Sequence, residues 1–183
     1  MTASALIASI FLAAAPQPAQ VEPEVLRPGT VAIEPVADPA IPAPARQTFA
    51  DAVERALSDA RFMALPATSR SRYIARVKVT RTARGAVTFK GKTPGPGAAM
   101  GNWGGAIAVT LPSNKQQLRG LIVTELEVEL LLREGMQPVW RGRALTAQAE
   151  GTQADAPATL APKLASAAIR GFPAQQPEAL SIP

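Results

Sequence analysis

The sequence predicts an α+β two-layer domain: two helices packed on one face of a mostly antiparallel sheet of four to six strands. Three stretches predict it. Within residues 119–133, Leu126, Val128, Leu130 and Leu132 point one way and Glu125, Glu127 and Glu129 the other. That is the period of a strand; a helix would scatter the glutamates. Phe49, Val53, Ala56, Leu57 and Ala60 recur at helical spacing and make one apolar face. Residues 157–171 carry a second such face, Leu160, Leu164, Ala167 and Ala168, stopped by Gly171 and Pro173. Strands with one wet face, and helices on the other, make two layers.

The elements follow in chain order. Residues 3–15 are apolar and uncharged and turn polar at Pro16. Their length suits the apolar region of a signal peptide and falls short of a membrane span. Ala13 and Ala15 have cleavage-site spacing, although no Lys or Arg precedes the run and Pro16 would follow the cut. Residues 16–28 read as a Pro-rich linker, leaving residues 29–183 as one domain. Gly29–Glu34 alternates between Pro28 and Pro35, as a first strand would. A helix is expected from Thr48, an N-cap with Asp51 three residues on, and Pro66 ends that segment. Residues 72–81 form a strand with Tyr73, Ala75, Val77 and Val79 on one face and Ile74, Arg76, Lys78 and Thr80 on the other. Residues 86–90 extend it or pair as a short hairpin. Residues 91–105 are a Gly/Pro-rich loop, and 106–111 resume strand. After the long 119–133 strand, Glu134–Pro138 turns and Val139–Ala147 returns as its hairpin partner. Residues 149–156 are loop, the second helix takes Pro162 in its first turn, and Leu180–Pro183 is a last edge strand.

Composition removes whole classes of chemistry. The chain has 183 residues, 47% of them hydrophobic but only 4% aromatic, so the core is aliphatic. It has no Cys and no His. Disulfides, thiol nucleophiles, Cys/His zinc sites, imidazole acid–base catalysis and a lipid-modified cysteine are excluded. No cofactor or metal is expected.

The order of parts resembles a known family. A strand opening Gly29-Thr30, a capped helix and an Arg72-x-Tyr-Ile-Ala-Arg-Val strand are followed by a Gly-rich insertion before the long strand. The Val139-Trp-Arg-Gly-Arg-Ala144 strand and the Gly171-Phe-Pro173 helix end complete the series. Over residues 29–183 this resembles the bacterial envelope family called domain of unknown function 4136, in its sphingomonad-type form. Many of that family look like lipoproteins; this chain lacks the cysteine for such an anchor. The resemblance implies a soluble periplasmic protein and supplies no catalytic residues.

Three features could carry function. Gly85–Thr93 nearly spells a phosphate-binding loop, with one residue too many between its glycines and Pro94-Gly-Pro-Gly where a helix should open; loop chemistry is the better reading. The row Glu125, Glu127, Glu129 could serve a hard cation or a carboxylate-only hydrolase, but calcium needs converging loops and glycosidase chemistry needs a cleft. Arg141 and Arg143, two apart on the next strand, suit it better as cross-strand partners. The strongest asymmetry is electrostatic: between Asp59 and Glu125 there is no acid, only Arg and Lys. Arg72, Arg76, Lys78 and Arg81 are the candidate anion-binding residues, facing lipid, lipopolysaccharide or wall polymer. Nucleic acid is not expected, since no aromatics interleave for base stacking, and no transmembrane span is expected in the mature protein. Trp140, opposite Gly142 and Ala144, reads as core; Trp103 sits in the glycine loop. The function expected is a non-catalytic exported binding or scaffolding domain, an accessory subunit of an envelope assembly, whose partner is an unknown envelope protein or anionic envelope component. The alternatives are a periplasmic carboxylate-only hydrolase and a binder of anionic lipid or polymer.

Overall fold

The computed structural model describes residues 26–36, 38–89 and 117–183. Its elements run β1 (Thr30–Ile33), α1 (Ala43–Asp59), β2 (Met63–Leu65), β3 (Tyr73–Phe89), β4 (Gln117–Leu132), β5 (Gln137–Ala149), a 3-10 turn (Gln153–Asp155), α2 (Pro157–Ile169) and β6 (Leu180–Ser181). The six strands form one sheet in the order β2-β1-β3-β4-β5-β6. Its centre, β3-β4-β5, is antiparallel, while β1 pairs in parallel with β2 and β3, and β6 in parallel with β5. The fold is the expected α+β two-layer domain with a mixed sheet.

The core lies between the sheet and the two helices. Val31, Tyr73, Ala75, Val77, Val79, Leu126, Val128, Leu130, Trp140 and Ala144 line the covered face of the sheet. Phe49, Val53 and Leu57 of α1 and Leu160, Leu164 and Ala168 of α2 press onto them. Trp140 is the largest fully buried side chain among the described residues; its indole Nε1–H donates to the Ala174 carbonyl at 2.9 Å and its ring meets Phe172 edge-on. Gly142 lets α2 come close. A Cβ there would collide with the Ala168 carbonyl and with the Trp140 ring.

Several boundaries differ from the sequence reading. The first helix starts at Ala43, not Thr48, and Pro42 is its N-cap. Proline in the first turn loses no bond, because those N–H groups have no partner within the helix. Thr48 lies inside, its hydroxyl donating to the Pro44 carbonyl, and Asp51 accepts from Gln47 rather than closing a capping box. The three-residue β2 is new; nothing periodic marks so short a strand. Residues 86–89 continue β3, past a register shift between Ala83 and Ala86 where Gly85 takes φ 113°. Pro162 lies beyond the first turn of α2, within the helix. The strand expected over 106–111, and Trp103, fall outside the described residues. Leu26 is partly buried against the core, and the Tyr73 hydroxyl donates to the Arg27 carbonyl at 3.0 Å, so residues before Gly29 belong to the fold.

Candidate functional site

Among the described residues, the middle of the sheet face away from the helices is open and charged. Two rows cross it. Arg76 of β3 stands opposite Glu129 of β4, which stands opposite Arg141 of β5; Lys78, Glu127 and Arg143 form the next row. Strand alternation makes this lattice, because residues two apart share a face. Arg76 reaches Glu34, just after β1, at 3.1 Å and Glu129 at 3.5 Å. Arg141 reaches Glu129 at 2.7 Å and Glu127 at 3.4 Å; Arg143 lies 3.8 Å from Glu125. The hydrogen bond that Arg141 donates to Glu129, then the charges of Glu127 and Glu129, raise the Arg141 pKa above its ordinary value. Glu129 is the shielded member, its side chain 13% exposed, but its arginine partners are about half exposed, and pairs so screened stabilise by about 0–1 kcal/mol.

The four cations singled out from the sequence do not share one surface. Arg76 and Lys78 lie side by side on the uncovered face. Arg72 precedes β3, its guanidinium carbon 5.3 Å from the Tyr73 ring centroid and its main-chain N–H bonded to the Thr30 hydroxyl. Arg81 lies on the helix side, where one nitrogen donates to both carboxylate oxygens of Asp155 at 2.7 and 2.8 Å. Asp155 is 1% exposed and accepts a further bond from the Gly151 N–H at 3.2 Å. This buried pair ties the loop before α2 to β3. The parity of Arg81, odd like Val77 and Val79, was the signal that it faces the core; nothing in the sequence marked Asp155 as its partner.

Beside β5 lies a second feature. The C-terminal chain runs past this edge at a distance bridged by side chains. Gln175 Nε2 donates to the Val139 carbonyl at 2.8 Å, and Arg143 Nη2 donates to the Pro177 carbonyl at 2.9 Å. An open groove of about 360 Å³ results, with Arg141, Arg143 and Glu129 along one wall and Gln175 and Pro177 along the other. The acid-free sequence had pointed to β3, whereas Arg141 and Arg143 of β5 are the cations that border a groove. Among the described residues no group of three or more acids could hold a metal ion, and no helix is long and apolar enough to cross a membrane.

No family model and no curated protein matches this chain. Among solved structures it is similar to a dodecameric PelC variant from Paraburkholderia phytofirmans, with 14% identity, TM-score 0.40, and coverage of 81% of this chain and 88% of that one. It is also similar to a putative neuraminyllactose-binding hemagglutinin homolog from Helicobacter pylori, with 9% identity, TM-score 0.43, and coverage of 85% and 87%.

Proposed function

We propose that this chain is a non-catalytic binding or scaffolding domain of the bacterial cell envelope, exported to the periplasm and akin to the domain of unknown function 4136 family. The observation that carries the non-catalytic reading is the flat glutamate row. Acid–base work by two carboxylates needs opposed environments across a cleft. Glu125, Glu127 and Glu129 instead stand in one line on one strand, each facing an arginine. Such a face offers charge in a fixed pattern, which suits recognition. The apolar run of residues 3–15 and the Pro-rich stretch after it support export.

The test is expression of the full chain with a C-terminal tag in a Gram-negative host. Osmotic shock should release it, and crosslinking in intact cells should join it to one envelope component identifiable by mass spectrometry. Retention in the cytosol would overturn export. A hydrolytic activity of the purified protein that Glu129→Gln abolishes would overturn the non-catalytic reading.

A further inference from the structure

On this face both rows of alternating charge end in an arginine at the β5 edge. Read across the sheet, the first row runs Glu34, Arg76, Glu129, Arg141: acid, base, acid, base. The second runs Lys78, Glu127, Arg143. Opposite charges on neighbouring strands attract, and each cation of β3 or β5 has an acid on the β4 side. Arg76 has a second acid on its other side. Arg141 and Arg143 have none on theirs among the described residues.

The backbone at this edge is open in the same place. The carbonyls of Val139 and Leu145 point out of it, one receiving Gln175 Nε2 and the other the Ile182 N–H. Main-chain groups alternate along a strand, so those of Arg141 point the same way. Yet β6 pairs only with Ala144 and Leu145. Two further polar groups bordering the groove, Arg143 Nε and Gln176 Oε1, are buried without a hydrogen-bond partner among the described residues.

From this we infer that the β5 edge receives an extended, acidic segment of a partner protein, which adds its backbone beside Arg141 and sets carboxylates at alternate positions against Arg141 and Arg143. Strand addition supplies main-chain bonds, and alternate side chains supply selectivity. The incoming strand takes the place of the Gln175 amide on the Val139 carbonyl. The proposal deepens the binding reading given above and rests on it.

Fluorescence anisotropy at low salt tests it, using the full chain and a short labelled peptide in which Glu alternates with Val and Thr. This peptide should bind at least roughly tenfold more tightly than its Lys counterpart, as two exchanged cross-strand pairs imply. Methylating its alternate amide nitrogens should abolish binding. In Arg141→Glu with Arg143→Glu the preference should reverse toward the Lys peptide, and that reversal also shows the variant is folded. Equal binding of the Glu and Lys peptides, or no reversal, overturns the proposal. Undiminished binding of the methylated peptide, or equal competition by polyphosphate or anionic vesicles, also overturns it and leaves a surface that reads charge alone. The envelope crosslink separates the two readings. If the double variant keeps it, the groove reading falls and the binding domain stands; if the peptide results hold with no crosslink in cells, the envelope reading falls instead.

Discussion

Replacing Arg81 by Met should be among the most damaging single changes in this protein. The substitution keeps an unbranched side chain and removes the charge. It takes from the Asp155 carboxylate, 1% exposed, two bonds of 2.7 and 2.8 Å to the guanidinium. Breaking a buried pair on one side costs about 3–5 kcal/mol, most of it for the buried charge whose main partner is lost. With a urea m-value of about 2 kcal/mol/M, the midpoint should fall by about 1.5–2.5 M. The reverse change, Asp155→Leu, should cost less, because the Arg81 side chain is 21% exposed and can turn to water. The double variant Arg81→Met with Asp155→Leu should recover most of the loss, since an apolar pair can replace a buried ionic one at little cost. Urea denaturation followed by circular dichroism measures all four proteins and closes a double-mutant cycle. A loss under about 1 kcal/mol for Arg81→Met, or a double variant no better than the single one, would refute the reasoning.

Other expectations follow from the core and the outer lattice. Trp140→Ala should cost about 3–5 kcal/mol by thermal or urea melts, from the cavity, the lost Phe172 contact and the orphaned Ala174 carbonyl. Gly142→Ala should destabilise by about 1–3 kcal/mol, because the clash is with helix backbone and cannot be relieved by a rotamer; a neutral result would mean α2 can slide. Arg141→Ala should change stability by about 1 kcal/mol or less despite its two carboxylate partners, as solvated pairs do; a larger loss would show the lattice is cooperative.

Much of this architecture was legible because it follows a short period. The alternation of Leu126 through Leu132 against three glutamates, and the helical spacing of Phe49, Val53 and Leu57, each report a buried stripe directly. The start of α1 was hidden because Thr48 offered a better N-cap than Pro42 and the apolar repeat begins only at Phe49, although a helix needs no N–H in its first turn. The strand β2 was hidden because three residues contain no period. At the candidate site, Arg76 and Lys78 were placed on their face by alternation, and the arginine partners of the glutamates by hairpin pairing. Asp155 was invisible, since it sits in a short 3-10 turn and lies 74 residues from Arg81 in sequence. The groove beside β5 was likewise unreadable: it is made by Gln175 and Pro177, in a stretch with no repeat of any kind.

The strand order has a kinetic consequence. The meander β3-β4-β5 is built from hairpins, whereas β1 and β6 are added in parallel at its two sides. Parallel pairing closes longer loops and comes later in folding. The chain should therefore acquire its middle first and its flanks last, and the flanks should also be the first to open. Pulsed hydrogen exchange would see this as early protection of the Lys78, Val128 and Ala144 amides and late protection of Val31 and Ile182. A sheet assembled in that sequence spends part of its folding life with the outer edge of β5 bare along its whole length.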